Sequence, residues 1–256
     1  TGQMITPLNF FGPLRLLQAA CIGALMLLGT SVMANDFSNN VSISNISGSN
    51  LVIINGKVIS GGGAMQNDGK LVEQVRQIND FNTLKIRIAA DISYEQGPAP
   101  SIKISGGENA LKSLTTEVKD GKLAIDLEGN FSLKHEIKIV ITSPSLKSVA
   151  FSGSGKFVAT NLKGDKLKAK LSGSGKVKLS GESEDVSLSL SGSGGIDASN
   201  LRASALDVDL SGSGSIYGYA EDSAEGDLSG SGSIRIAGQP KERSIDKSGS
   251  GTVRFD

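Results

Sequence analysis

Tryptophan is absent from this chain, cysteine and histidine occur once each, proline occurs 6 times, and aromatic residues make up 4%. Each shortage removes a class of chemistry. One Cys cannot build a disulfide framework or a Cys-rich zinc site. One His, at position 135, excludes a His-rich metal cluster and leaves a Ser-His-Asp triad with no choice of base. Its neighbours Lys134 and Glu136 mark His135 as an exposed strand position. Charge of one sign is not in excess either: 26 Lys and Arg balance 26 Asp and Glu. A nucleic-acid partner, which calls for a basic surplus, is therefore not expected.

Enzyme motifs are missing as well. No Gly-x-Ser-x-Gly elbow occurs, and Gly155-Lys156 and Gly175-Lys176 run on into Phe157 and Val177 where a phosphate loop needs Ser or Thr. Ser244-Ile245-Asp246-Lys247 has Ser-x-x-Lys spacing without a companion motif. The chain reads as non-enzymatic and free of cofactors.

One apolar run stands out, Leu16 to Leu28, with Arg15 just before it and no acid before Asp36. It is shorter than the ~20 residues a membrane span needs and fits the core of a secretory signal peptide. Thr30-Ser31-Val32-Met33-Ala34 supplies the small residues of a cleavage site, so residues 1–34 are expected to be removed after Ala34. Cys21 falls inside that segment. Export places the protein in the periplasm, at the outer membrane or outside the cell. Residues 35–80 form an Asn-, Ser- and Gly-rich extension, with Leu51–Ile54 as a strand and Lys70–Ile78 as the one helix expected.

Glycine, by contrast, is plentiful at 33 residues, and much of it is periodic. Ser-Gly-Ser-Gly begins at Ser152, Ser172, Ser191, Ser211, Ser229 and Ser248, at intervals of 20, 19, 20, 18 and 19. Its glycines are Gly153 and Gly155, Gly173 and Gly175, Gly192 and Gly194, Gly212 and Gly214, Gly230 and Gly232, and Gly249 and Gly251. Before the motif, apolar residues alternate in register: Leu167/Ala169/Leu171, Val186/Leu188/Leu190, Leu206/Val208/Leu210, then a weaker Ala224/Gly226/Leu228. After it come Phe157, Val177, Ile196, Ile216, Ile234 and Val253. Alternation of period two means half-buried strands. Identical corners and columns at a fixed period mean that the chain returns to the same place once per repeat. The reading is an all-β, parallel β-helix-like solenoid with coils of about 19 residues, right-handed by the usual crossover rule. Corner serines are expected to form hydroxyl ladders between coils ~4.8 Å apart. Residues 81–150 add strands at Leu84–Ile88, Ser101–Ser105, Lys122–Leu127 and Glu136–Ile141.

These elements resemble the bacterial envelope family described as putative auto-transporter adhesin, head GIN domain. The resemblance is carried by Phe81-Asn82-Thr83-Leu84-Lys85-Ile86, Val118-Lys119-Asp120-Gly121-Lys122-Leu123, the stretch Ile137–Leu146, the serial corners and Gly238-Gln239-Pro240. It implies an exported β-solenoid over 81–256, and no catalytic or ligand residues carry over with it. The weakened Ala224–Leu228 column and the charged Arg243 and Lys247 in otherwise apolar columns depart from the pattern.

Outward positions before the corners give one candidate site. Asp207, Asp209, Glu225, Asp227 and Asp246 stack on one face, an all-oxygen set suited to Ca²⁺, or else a solvated acidic face partly neutralised by Arg235 and Arg254. Charge is also segregated along the chain: residues 156–180 hold seven Lys and one acid, and 181–228 hold ten acids and one base. Weak, salt-sensitive self-association is expected from that asymmetry. The function expected is a binding module for a surface polysaccharide or an envelope protein. The alternatives are a self-associating structural spacer and a polysaccharide-active enzyme using Asp207 and Asp209.

Overall fold

A computed structural model describes the backbone of residues 41–46, 49–54, 57–61 and 66–256, and the side chains of 66–256. The expected signal segment, its cleavage after Ala34 and Cys21 lie outside the described residues. The chain divides into two compact units, Thr1–Ala64 and Met65–Asp256. In the first, β1 (Val41–Ile46), β2 (Ser49–Ile54) and β3 (Lys57–Gly61) form an antiparallel sheet in that order. Among the described residues no helix is long and apolar enough to cross a membrane.

The second unit opens with β4 (Gln66–Asn67) and β5 (Leu71–Arg76). The helix expected over Lys70–Ile78 is therefore a strand: Leu71-Val72-Glu73-Gln74-Val75-Arg76 alternates exposed and half-buried side chains. Pairing with β8 (Ser101–Gly107) supplies its backbone hydrogen bonds, and tertiary context overrides local propensity. Residues 66–80, which composition assigns to the extension, fall in the second compact unit, Met65–Asp256.

Between β5 and β8 lie β6 (Thr83–Arg87) and β7 (Asp91–Gln96), which make one lap around the axis. A five-residue helix, α1 (Glu108–Lys112), leads to β9 (Leu114–Lys119), β10 (Lys122–Leu127), β11 (Phe131–Ser132) and β12 (Lys138–Ser143). β10 and β12 form the next lap in sequence, yet they stack on the far side of the first. β6 lies between β10 and β13 (Ser148–Gly153), and β7 between β12 and β14 (Lys156–Gly173). Antiparallel β9 on β10 and β8 on β12 then close this end. Arg76 pins the closure by donating to the carbonyls of Leu111 (2.8 Å) and Leu114 (2.6 Å).

From β13 onward the laps are serial and parallel. β14, β15 (Lys176–Gly192) and β16 (Gly195–Gly212) each run nearly a whole coil. They are followed by β17 (Ser215–Tyr219), β18 (Ser223–Gly230), β19 (Ser233–Ala237), β20 (Glu242–Ser248) and β21 (Thr252–Phe255). Each corner serine pairs with the next: Ser152↔Ser172↔Ser191↔Ser211↔Ser229↔Ser248. The fold is the parallel β-solenoid that the repeat requires. Its columns fill the interior, with Leu171, Leu188, Val208 and Ile216 at no more than 1% exposure.

Backbone, not hydroxyl, chemistry holds the corners. Ser213 N and Gly214 N both donate to Gly192 O at 3.1 Å, and Ser231 N and Gly232 N both donate to Gly212 O at 3.0 Å. A hydroxyl ladder is represented among the described residues by one pair, Ser231–Ser250 at 3.2 Å. The two glycines of a corner serve different needs. Gly212 has φ 124, which L side chains rarely adopt. A Cβ on Gly214 would lie 2.4 Å from Gly194 O and 2.6 Å from Leu190 Cδ2.

The weak column continues in register. Arg243 and Lys247 stand opposite Ala224 and Leu228, and both are exposed at the last coil. Arg243 lies over the Phe255 ring at 4.9 Å. Charges at these positions polarise a terminal edge that apolar residues would leave open to stacking.

Candidate binding faces

A coil of this solenoid has three outward sides: the strand before the corner, the strand after it, and the return. Residues one lap apart are neighbours on every side, so the sign of charge at each lap decides whether a side is internally satisfied.

On the return side it is. Lys163 pairs in register with Glu182, and Glu182 with Arg202. The Lys163 Nζ to Glu182 Oε1 distance is 3.0 Å, Lys166 to Asp185 is 3.2 Å, and Arg202 is ion-paired with Glu221. The Glu221 carboxylate, as hydrogen-bond acceptor and as charge, raises the Arg202 pKa, and the guanidinium also lies 5.5 Å over the Tyr219 ring. This ladder was missed in the sequence reading, although its signal was present. Positions 163, 182, 202 and 221 alternate in sign at intervals of one lap.

Before the corner the opposite rule holds. Asp207 stands opposite Glu225, and Asp209, Asp227 and Asp246 follow one another in a single row. The fold thus brings the sequence-predicted acids together as two parallel rows. Among the described residues no group of three or more His, Cys, Asp or Glu side chains is placed to hold a metal ion. Ser187 donates to Asp207 Oδ2 at 3.1 Å. Partial burial, and after it the charges of Asp207 and Asp227, raise the Asp209 pKa above the ordinary carboxylate value. The same rows continue towards the other end as Lys168 and Lys170, one coil beyond Ser187 and Ser189. Arg235 and Arg254, expected to neutralise the acids, instead lie in register after the corner, where Arg235 is 3.4 Å from Asp256. They sit on a different strand of the coil from the acids, because the corner separates the two.

The side after the corner is basic and partly apolar. Its rows include Lys156–Lys176–Gly195 and Val158–Lys178–Asp197–Tyr217. Gly195 lacks a side chain between Lys176 and Ser215. A shallow hollow of about 250 Å³ results, lined by Lys156, Lys176, Lys178, Asp197 and Tyr217. Tyr217 is 41% exposed.

His135 is not on a strand. It sits in a bend, its Nδ1 3.2 Å from Asp68 Oδ2, while the backbone N–H groups of Lys134 and His135 donate to that oxygen at 2.8 and 2.7 Å. The His135 backbone N–H is the largest influence holding the Asp68 pKa down. Asp68 O accepts from Asn109 N at 2.8 Å, so this buried residue ties the bend to α1. The arrangement is a structural clasp.

Outward ladders on an apolar core, with shallow hollows on its sides among the described residues, define a parallel β-solenoid that presents surfaces. The chain belongs to the family described as "Putative auto-transporter adhesin, head GIN domain", which matches residues 80–240. A solved "putative adhesin" from Bacteroides fragilis NCTC 9343 is similar over 75% of this chain and 100% of its own, with 28% identity and a TM-score of 0.63. A solved "putative lipid binding protein" from Parabacteroides distasonis ATCC 8503 shares the fold over 75% of this chain and 100% of its own, with 23% identity and a TM-score of 0.51. No curated protein matches the chain.

Proposed function

We propose that this protein is an exported, non-enzymatic binding module of the bacterial envelope. It acts in the manner of an adhesin head, gripping a surface polymer or an envelope partner with the side that follows the corner. The observation that carries this reading is the in-register pair Lys156 and Lys176 beside the Gly195 notch, with Lys178 in the adjacent row and Tyr217 exposed beside it. Strand spacing sets Lys156 and Lys176 ~4.8 Å apart along that side, with Tyr217 two laps beyond Lys178, which suits an extended ligand better than a compact one. Membership of the family described as "Putative auto-transporter adhesin, head GIN domain" and the likeness to the Bacteroides fragilis "putative adhesin" support the same reading.

Two measurements test it. Fusion of residues 1–40 to a reporter active only outside the cytoplasm should give activity, and an inert fusion would remove export. Immobilised anionic and neutral envelope polysaccharides should retain the purified protein, with retention lost in the Lys156→Glu/Lys176→Glu variant. Equal retention of the variant would reject the proposed face.

A further inference from the structure

We propose that the side before the corner is a self-complementary interface through which two copies of this chain pack face to face with their axes antiparallel. The proposal is independent of the polymer-binding side. It rests on the order of charges along two rows. One row reads Lys85, Ala150, Lys170, Ser189, Asp209, Asp227, Asp246. Its neighbour reads Ser148, Lys168, Ser187, Asp207, Glu225.

About the coil that carries Ser187 and Ser189, opposite charges stand at equal distances at Lys170/Asp209, Lys168/Asp207 and Lys85/Asp246, with neutral Ala150 and Ser148 set against Asp227 and Glu225. Consider a two-fold axis lying in the interface along that strand. It keeps each row on its own row and reverses its direction. Lys170 then meets Asp209 of the second copy, Lys168 meets Asp207, and Lys85 meets Asp246. Ser148 meets Glu225 and Ala150 meets Asp227, so within these two rows no like charges come together. Each contact is made twice, as an isologous interface demands. The centre is lined by Ser187 and Ser189, short enough for the two sheets to approach.

A second observation points the same way. On the return side, charges of opposite sign stand one lap apart and pair within the chain. On this side, like charges stand next to like, and among the described residues none of Lys85, Lys168, Lys170, Asp209 or Asp227 has an ion-pair partner at 4.0 Å or less. A face whose attraction is unused inside the molecule, and whose pattern fits itself, selects a second copy over an anionic polymer. Such a polymer would meet the acidic half of the same rows.

Sedimentation of the full chain with EDTA present, at about 50 mM and about 500 mM salt, tests this. The Debye length shrinks roughly threefold between the two. Dimer is expected at low salt and monomer at high salt. Lys170→Glu alone and Asp209→Lys alone should each weaken the dimer by on the order of tenfold or more. The double variant Lys170→Glu/Asp209→Lys should recover it, and so should an equimolar mixture of the two single variants. Circular dichroism melts report whether each variant folds, and the mixture and the double variant provide the decisive comparison if one single variant is unstable. Monomer at low salt, or dimerisation indifferent to both substitutions, would overturn the proposal. Recovery in neither the double variant nor the mixture would overturn it equally.

Discussion

Asp209 and Asp227 stand opposite one another on adjacent coils, both exposed. Burial first, then the charges of Asp207 and Asp227, push the Asp209 pKa up. The folded chain therefore holds this proton more tightly than the unfolded one. Stability from this site is full below the ordinary value of 3.8 and falls as pH rises through the raised folded value. In dilute, monomeric protein, Asp209→Asn should stabilise the fold at pH 7 by about 0.5 kcal/mol, as befits a screened surface pair, read as a higher melting temperature. The gain should vanish in acid. A variant less stable than the parent at neutral pH would contradict this.

Corner glycines and return glycines should respond differently to one methyl group. A Cβ at Gly214 would meet Gly194 O at 2.4 Å, whereas a Cβ at Gly164 meets nothing within 4 Å. Gly214→Ala is expected to cost about 1–3 kcal/mol through overpacking against backbone that cannot move aside. Gly164→Ala should stay within roughly 0.5 kcal/mol of the parent. Urea titrations of the two variants measure both numbers.

Glu182 lies between two cations, Lys163 and Arg202, on the return side. Replacing it with Gln should destabilise the fold by less than about 1 kcal/mol. Replacing it with Lys should cost more, because three cations would then stack one lap apart. Both effects should shrink as salt is added, and thermal melts at two ionic strengths read that dependence.

The Asp68 carboxylate should shape the acid limb of stability. Its folded pKa lies below 3.8, chiefly through the His135 backbone N–H. Its contribution is present above 3.8 and is lost as pH falls through the lower folded value. Asp68→Asn should lower the melting temperature at neutral pH and flatten the fall in acid. An unchanged acid limb would show that the clasp is energetically idle.

Much of the solenoid was readable in one dimension because a lap stacks each residue on its equivalent. The columns Leu167/Ala169/Leu171 through Leu206/Val208/Leu210 are buried as their period required. The acidic rows follow from the same arithmetic. Harder to read were elements whose partners are not one lap away. Leu71–Arg76 is a strand only because Ser101–Gly107 lies beside it. His135 is held by Asp68, 67 residues earlier, which no spacing rule marks.

From the sequence alone came the lap of about 19 residues, the corner words and the inward and outward columns, because in a parallel stack sequence period and spatial neighbourhood are the same quantity. Tertiary structure alone decided that the β10 and β12 lap sits outside the β6 and β7 lap, and that Arg235 and Arg254 lie beyond the corner from the acids. Both outcomes depend on which backbone edges remain free to pair once the chain has doubled back, and that competition is settled in three dimensions.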